Sequence, residues 1–237
     1  MCAAEAAAHR PAVAAATRQL RRLGVLGGTF DPVHPGHTGA ARFVQQALAL
    51  ERVLLIPCGQ PVHRHQPLAS APERCAMVAL ALAGEPQLQL DRRECQTNAP
   101  SYTIDTITAL QKEQPDVSWH LLVGADAFLG LPSWKQWQQL LDRVNLIVMT
   151  RPGFAIDEAR MAPELLAQYR RRRVDSAATL ASISQGAILA IDVRTPDLSS
   201  TQVRELLKTG GNLGSILHPA VAQHIRTHGL YLPGDQD

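Results

Sequence analysis

Two histidines, His34 and His37, lie three residues apart in the stretch GGTFDPVHPGH, which follows a short apolar run and precedes a long helical pattern. Imidazole side chains at this spacing could ligate a metal ion, pack in a core or bind an anion. A zinc site needs at least a third protein ligand. The stretch has no H-E-x-x-H pattern and no nearby cysteine, although His63 and His65 could supply a ligand from further along the chain. The sequence therefore favours another use of the pair and predicts no metal held by protein ligands here.

The glycines around the two histidines favour anion binding. Gly27 and Gly28 let a ligand approach the backbone closely, and Gly36 keeps side chains away from the start of the predicted helix. The first turn of a helix offers unpaired N–H groups and a partial positive charge. Residues three apart on that turn face nearly the same side, so both imidazoles could donate hydrogen bonds to phosphate oxygens. The G-x-G-x-x-G spacing of dinucleotide sites and the lysine of a P-loop are both missing from the stretch.

Composition and charge limit the classes of partner. Of the 237 residues, 46% are hydrophobic and 19% are charged, and the net charge of +2 gives no reason to expect a nucleic-acid partner. No apolar run reaches the ~18 residues that a membrane span needs. The cysteines are scattered without a C-x-x-C pair, which suits reduced thiols; they are Cys2, Cys58, Cys75 and Cys95. We therefore expect a cytoplasmic protein with no nucleic-acid or membrane partner.

Short β-branched and leucine-rich runs alternate with helical patterns along the chain. Strands are predicted near residues 23–26, 52–56, 87–91, 119–123, 146–150 and 187–193. Helices are predicted near residues 36–50, 72–83, 101–113, 134–141, 157–172, 201–208 and 219–228. This alternation is typical of an α/β fold, a parallel sheet with helices on both faces. We expect a single domain over residues 22–237, preceded by a poorly ordered, alanine-rich extension over residues 1–21 that does not fit a signal peptide.

Polar segments follow the predicted strands. They read GGTFDPVHPGH, PCGQPVHR, RRECQTNAPSYT, GADAFLGLPSW, TRPG and RTPDLSSTQVR. In open parallel sheets, ligands bind beyond the carboxyl ends of the strands. We therefore expect these segments to meet at one edge of the sheet and to form the functional site.

Two of these segments carry a family resemblance. GGTFDPVHPGH resembles the H-x-G-H signature of the nucleotidyltransferase superfamily, with His34, Gly36 and His37 at the matching positions. LSSTQVR, residues 198–204, resembles the second signature of that superfamily, I-S-S-T-x-x-R, with leucine for isoleucine. The stretches PCGQPVHR, ERCAMV, SYTIDTI, GADAFLGLPSWKQW and IRTHGLY resemble the bacterial nicotinate mononucleotide adenylyltransferases, and this resemblance covers about residues 23–232.

The resemblance implies a Rossmann-like nucleotidyltransferase domain and a specific reaction. Nicotinate mononucleotide would attack the α-phosphate of ATP, giving nicotinate adenine dinucleotide and pyrophosphate in NAD biosynthesis. The attacking group is a phosphate, which is largely ionised at neutral pH because its second pKa is about 6. No activated serine or cysteine is needed, and the chain has no G-x-S-x-G sequence. Catalysis would depend on placing two anions in line and on stabilising transition-state charge.

The resemblance also implies roles for individual residues. His34 and His37 would hold the ATP phosphates and Arg204 would neutralise the departing pyrophosphate, which makes these three the catalytic candidates. The other residues implied in ATP binding are Gly27, Gly28, Thr29, Phe30, Gly36, Gly124, Asp126, Ser199, Ser200 and Thr201. The residues implied in nicotinate mononucleotide binding are Thr103, Trp134, His63 and Arg64. Mg²⁺, held mainly through ATP phosphates and water, is the implied cofactor.

Several of these residues have a second interpretation. Ser199 and Gln202 also fit a plain helix capping box, and Trp134 could pack in the core beside Trp137. Asp31 could cap a turn before a proline or bind a ribose or the water shell of the metal. Arg74 could be a surface residue or a phosphate partner. Arg64 stands where the family commonly has lysine, and its planar guanidinium differs from an ammonium in geometry and hydration.

The sequence alone does not determine which nucleotide accepts the adenylyl group, nor the oligomeric state of the protein. Nicotinamide mononucleotide differs from nicotinate mononucleotide by a carboxamide for a carboxylate, and backbone donors could read that difference. The alternatives are a nicotinamide mononucleotide or phosphopantetheine adenylyltransferase, or a non-catalytic adenylate-binding regulator. The oligomeric state, a homo-oligomer included, leaves no trace in the sequence.

Overall fold

Apolar runs of the sequence pair into a parallel sheet in the structure, a computed structural model that describes residues 20–61, 66–97, 99–150, 156–196, 198–211, 214 and 216–232. The strands of the main sheet are β1 (Arg21–Gly28), β2 (Arg52–Pro57), β4 (Leu88–Leu90), β6 (Val117–Gly124), β7 (Asn145–Thr150), β8 (Arg173–Val174) and β9 (Ile188–Asp192). A separate pair consists of β3 (Gln60–Pro61) and β5 (Pro100–Ser101). The main sheet has the order β4-β2-β1-β6-β7-β9-β8 with parallel pairing throughout, which confirms the predicted α/β fold.

Helices cover both faces of this sheet. They are α1 (Pro35–Ala47), α2 (Ala71–Ala81), α3 (Thr103–Glu113), α4 (Ala125–Leu129), α5 (Trp137–Arg143), α6 (Pro163–Arg172), α7 (Ala177–Ala181), α8 (Ser200–Lys208) and α9 (Pro219–His228). Buried side chains of α1, α2, α8 and α9 share one core cluster, and those of α3, α5 and α6 share another. Val53 and Leu55 of β2 belong to the first cluster, whereas Leu54 and Ile56 belong to the second, because successive strand residues point to opposite faces.

Two predicted helices differ from the structure at their first turns. The helix predicted over residues 134–141 begins at Trp137, after a 3₁₀ turn over Leu131–Ser133, and Gln136 between them has a left-handed φ of 52°. The helix predicted over residues 157–172 divides into a 3₁₀ turn over Glu158–Arg160 and α6, which starts at Pro163. Proline suits the first position of a helix and not its interior, so Pro163 sets the boundary.

The strand order reverses between β1 and β6. From β1 the chain proceeds to β2 and β4 on one side, and then crosses to β6 on the other side. The carboxyl ends of β1 and β6 therefore flank a topological switch point, where open α/β sheets bind ligands. The register that pairs Leu26 with Leu122 brings Gly28 level with Gly124 at this edge.

The first strand begins at Arg21, the last residue of the expected extension, and residues 1–19 lie outside the described part. Among the described residues, every helix is too short or too polar to cross a bilayer.

Candidate active site

The first turn of α1 holds both histidines of the opening motif. His34 is the N-cap residue, and Pro35 occupies the first helical position, where its missing N–H costs nothing. The backbone N–H of His34 donates to Nδ1 of His37 over 3.3 Å. Since Nδ1 of His37 is the acceptor, the neutral ring carries its proton on Nε2. His37 is thereby fixed in the tautomer that presents an N–H donor on its outer nitrogen.

The imidazole of His34 is buried beside that of His37. Only 5% of the His34 surface is exposed, and the two ring centroids are 3.8 Å apart with the planes tilted by 33°. Burial lowers the pKa of His34 to about 4, so the ring is neutral at pH 7. Its buried Nδ1 has no hydrogen-bond partner among the described residues. Phe30 packs its ring edge-on against His37, with the centroids 5.0 Å apart.

Glycine between the two histidines leaves room for the His34 ring. A Cβ atom on Gly36 would lie 2.9 Å from both Nδ1 and Cε1 of His34 and 3.4 Å from the carbonyl oxygen of Leu198. The glycine of H-x-G-H thus lets the His34 ring lie against the helix start, with the carbonyl oxygen of Leu198 nearby.

The glycines at the carboxyl ends of β1 and β6 have different surroundings. A Cβ on Gly27 or on Gly124 would meet no described protein atom within 4 Å, so the backbone at both positions is open to a ligand. A Cβ on Gly28 would lie 3.0 Å from the ring of Phe30. Gly124 is exposed at the N-cap of α4, and Asp126 in the first turn of that helix is exposed as well.

The second signature motif begins α8 and contacts the first. Ser199 caps the helix by accepting from the backbone N–H of Gln202 (3.2 Å), and the side chain of Gln202 accepts in return from the backbone N–H of Ser199 (2.7 Å). The hydroxyl of Ser200 donates to the carbonyl of Pro32 over 2.9 Å. The predicted capping box is confirmed, and the same turn binds the loop between β1 and α1.

Arg204 adds a second link between the two motifs. Its Nη1 donates to the carbonyl oxygen of Asp31 over 2.7 Å, and its Nη2 lies 3.3 Å from the hydroxyl of Thr201. The guanidinium is half-buried on the turn that follows the helix start. The structure therefore brings together the histidines, the serines and threonine of α8, and Arg204.

The carboxylate of Asp31 makes contacts with distant segments that its sequence context did not indicate. Its carboxylate accepts from the backbone N–H groups of Leu68 (2.9 Å) and Ala69 (3.1 Å) and from the hydroxyl of Tyr231 (2.7 Å). With 5% of its surface exposed, Asp31 joins the loop between β1 and α1 to the segment before α2 and to the segment that follows α9.

Arg74 is a buried anchor that sequence reasoning did not find. Only 1% of its surface is exposed, and its guanidinium donates to three backbone carbonyls, those of Ala69 (3.1 Å), Thr29 (2.8 Å) and Gly59 (3.1 Å). Of the two interpretations that the sequence allowed, the surface residue is wrong, because Arg74 is buried. Thr29, a predicted ATP-binding residue, is thus held through its backbone from α2.

The residues predicted for the second substrate lie on two neighbouring segments. Thr103 begins α3, and Trp134 follows the 3₁₀ turn before α5. Lys135 joins them: its Nζ lies 2.9 Å from Oδ2 of Asp105 and 4.4 Å above the ring centroid of Tyr102. Both segments therefore stand at the same edge of the sheet.

Trp134 and Trp137 are both half-buried against the core cluster on the α3 face, so each has a packed part and an exposed part. His63 and Arg64 lie outside the described residues.

The surroundings of Cys58, which directly follows β2, do not activate its thiol. Burial raises the pKa of the Cys58 thiol, despite the nearby Arg74 guanidinium. A thiol with a raised pKa is a poor nucleophile at neutral pH. This fits a reaction in which the attacking group belongs to the substrate.

Comparison with known proteins agrees with this geometry. The cytidylyltransferase-like family model matches residues 25–206. A protein named probable nicotinate-nucleotide adenylyltransferase from Aeromonas hydrophila is 45% identical over 211 residues, covering 89% of this chain and 97% of the relative. A protein of the same name from Aeromonas salmonicida is 43% identical over 209 residues, covering 88% and 96%.

Solved structures show the same fold. The nicotinic acid mononucleotide adenylyltransferase of Plasmodium falciparum, complexed with NaAD, superimposes with a TM-score of 0.67 at 17% identity, over 89% of this chain and 97% of that one. The family model spans most of the sequence, and the curated relatives match it along nearly their whole lengths. The chain therefore belongs to the cytidylyltransferase-like family and, within it, to the nicotinate-nucleotide adenylyltransferases.

Proposed function

We propose that this chain transfers the adenylyl group of ATP to nicotinate mononucleotide and that the two joined motifs carry the reaction. The observation that supports this most strongly is the contact between the two helix starts. Ser200 and Arg204 of α8 donate to the backbone carbonyls of Pro32 and Asp31, directly before the histidines that open α1. Two helix N-termini, each with unpaired N–H groups, thus face the position of one polyphosphate.

His37 contacts the reacting phosphate in this proposal. Its Nδ1 accepts from the backbone of His34, so its Nε2–H is the donor that stabilises charge on the α-phosphate in the transition state. His34 is neutral and buried, and it orients His37 by ring stacking and by its backbone N–H.

The start of α8 receives the departing pyrophosphate. The backbone N–H groups and hydroxyls of Ser200 and Thr201 suit the β- and γ-phosphates, and Arg204 neutralises the charge that develops as the bond breaks. The contact of Arg204 with the Asp31 carbonyl fixes the guanidinium in place before substrate arrives. Preorganised donors of this kind need no rearrangement during the reaction.

We propose Mg²⁺ as the divalent ion of this reaction. Mg²⁺ prefers oxygen ligands and keeps several waters, so an exposed carboxylate such as that of Asp126 in the first turn of α4 fits its water shell. When bound, the ion would neutralise phosphate charge during transfer.

The acceptor nucleotide is proposed to bind at the edge formed by the start of α3 and the Trp134 turn. The exposed part of the Trp134 indole would stack on the pyridine ring, and the backbone at Thr103 would donate to its carboxylate. His63 and Arg64, which follow β3 in the chain, would contact the phosphate of this nucleotide.

The expected setting is the cytoplasm. Cys58, Cys75 and Cys95 are free thiols in the structure, which suits a reducing compartment.

A steady-state assay of acceptor preference tests the proposal. The purified protein would be given ATP, Mg²⁺ and either nicotinate mononucleotide, nicotinamide mononucleotide or phosphopantetheine, and pyrophosphate release would be measured. We expect the highest kcat/KM for nicotinate mononucleotide. Preference for another acceptor would overturn the substrate assignment, and ATP binding without pyrophosphate release for any of them would identify a regulator instead of an enzyme.

A further inference from the structure

Three metal-ligating side chains meet between α2 and α9, outside the residues assigned to either nucleotide. Glu73, His224 and His228 each offer a ligand atom, and these atoms all lie within 4.8 Å of one another. Nε2 of His224 is already 2.6 Å from Oε2 of Glu73. We propose that this cluster, called here the α2–α9 cluster, binds a divalent transition-metal ion of borderline softness, of which Zn²⁺ is the representative.

The ligands come from rigid elements. His224 and His228 are four residues apart on α9, so they project from the same face, and their ring centroids are 4.1 Å apart. Glu73 lies in the first turn of α2, where its backbone N–H donates to the capping hydroxyl of Ser70. Two His ligands and one carboxylate, with water in the fourth position, form a known zinc-binding set.

The hydrogen bonds of the cluster prepare the nitrogens for a metal. Nδ1 of His228 lies 2.9 Å from the backbone carbonyl oxygen of His224, so this nitrogen must be the N–H donor. The lone pair of His228 is therefore on Nε2, and the ring is oriented by a carbonyl, as is common for metal-bound histidine. At His224, a metal ion would replace the proton that Nε2 shares with Glu73.

The fit requires only a small adjustment. Bonds of about 2.0–2.2 Å place neighbouring zinc ligands roughly 3.3 Å apart in a tetrahedral site. The side chain of His228 is exposed, so rotation about its torsions can bring it inward without disturbing the core. Imidazole nitrogen suits Zn²⁺, Ni²⁺ and Cu²⁺, whereas Mg²⁺ prefers oxygen ligands, so the α2–α9 cluster differs in ion preference from the nucleotide site.

An ion here would link the two helices whose neighbouring residues, Arg74 and Tyr231, hold the loop between β1 and α1. Glu73 is adjacent to Arg74, which holds the carbonyl of Thr29. Helix α9 leads to Tyr231, whose hydroxyl donates to Asp31. The role that follows is structural: the ion would bind the folded chain and stabilise the packing of α2 against α9.

A thermal-unfolding titration of the chelator-treated, full-length protein tests the proposal. Zn²⁺ at a hundredfold excess over its Kd should raise the Tm by roughly 5–11 °C for a chain of this size. The rise should be lost in His224→Ala and Glu73→Gln. It should persist in Gln223→Ala, a matched change at an exposed position of the same helix, and in His37→Ala, which removes a histidine of the nucleotide site. Mg²⁺ should give no rise that depends on His224.

Cobalt supplies a second readout that a plain ion pair between Glu73 and His224 would not give. Co²⁺ should produce the visible absorption of a four-coordinate ion at one equivalent, and His228→Ala should remove it. A Zn²⁺-induced rise of full size in both His224→Ala and His228→Ala would overturn the proposal. The absence of any rise in the unaltered protein would do so as well, and would leave the cluster as an interhelical ion pair.

Discussion

Gly36 and Gly27 serve the site in different ways, although both stand in the same motif. At Gly36 the protein itself limits the side chain, since a Cβ would lie only 2.9 Å from the His34 ring. At Gly27 the described protein leaves room for a side chain, because a Cβ would meet no described atom within 4 Å. The space beside Gly27 is therefore open to the proposed ligand, whereas the space beside Gly36 is filled by the His34 ring.

Alanine substitutions separate these two uses. We expect Gly27→Ala to leave the Tm within about 2 °C of the unaltered protein, because surface substitutions rarely change stability by more than about 0.5 kcal/mol, and to raise the KM for ATP. Gly36→Ala should lower kcat by at least about tenfold, because a 1 Å displacement of a positioned group can cost up to 10²-fold. Steady-state kinetics and thermal unfolding measure both effects. Equal kinetics for the two variants would contradict the distinction.

His34 should make stability depend on pH. Its pKa is about 4 in the folded chain because burial disfavours the charged ring, whereas the unfolded value is 6.5. Protonation below pH 6.5 therefore favours the unfolded state, and stability is lost progressively as the pH falls from about 6.5 to 4. His120, fully buried in β6 and also with a pKa of about 4, adds to the same loss.

The pKa depression of His34 sets the size of the stability that is lost at low pH. A depression of this size corresponds to at most about 3.5 kcal/mol per histidine, since one pKa unit is about 1.4 kcal/mol. Urea unfolding of His34→Gln should show a smaller decrease in the free energy of unfolding between pH 7 and pH 4.5 than the unaltered protein shows. An unchanged pH dependence would mean that the ring is not buried in its neutral form.

At the scale of elements, Ser199 caps helix α8 and is also proposed to bind ATP. A matched pair of variants can distinguish these two roles. Ser199 caps α8 and Ser176 caps α7, each by accepting from a backbone N–H three residues on, over 3.2 Å and 3.1 Å. Loss of either cap should cost about 1 kcal/mol, or roughly 2–4 °C in Tm. Only Ser199→Ala should also raise the KM for ATP, and we would measure both variants side by side. If Ser176→Ala raised the KM for ATP equally, the cap of α8 would contribute to stability alone.

Lys135 should matter for one substrate only. It joins the Trp134 turn to the start of α3 through Asp105 and the Tyr102 ring, and such contacts contribute on the order of 1 kcal/mol at exposed positions. We expect Lys135→Ala to raise the KM for nicotinate mononucleotide about fivefold with the KM for ATP unchanged. Lys208→Ala, which removes a contact with Glu205 on α8, is the control and should change neither value. A parallel rise for ATP would count against two separate subsites.

The whole molecule shows which features of the fold a sequence can reveal. The predicted strands and the longer helices are present because their apolar patterns have the right period and length, as in β6, where Val117–Val123 are all buried. Strands β3, β5 and β8, each of two residues, are too short to leave such a pattern. Helix α4 spans five residues, and proline rather than periodicity determines where α6 begins.

The described residues of the two signature motifs lie beside each other, joined by Ser200 and Arg204, but the groups that hold the loop between β1 and α1 depend on contacts between distant segments. Arg74 donates to the carbonyl of Thr29, and the hydroxyl of Tyr231, which follows α9, donates to the carboxylate of Asp31. Neither role follows from local sequence, because a buried arginine that binds carbonyls looks like any arginine on a helix. The α2–α9 cluster was missed for the same reason, since Glu73 and His224 meet only after folding.

The rate of adenylyl transfer by His37→Asn tests the central claim most directly. An asparagine oxygen can still accept from the His34 backbone, so the helix start is preserved, but the outer N–H donor of His37 is lost. With ATP, Mg²⁺ and nicotinate mononucleotide at saturation, kcat should fall by roughly 10²–10³ while the Tm changes little. Turnover near that of the unaltered protein would contradict the assignment of His37 to the reacting phosphate.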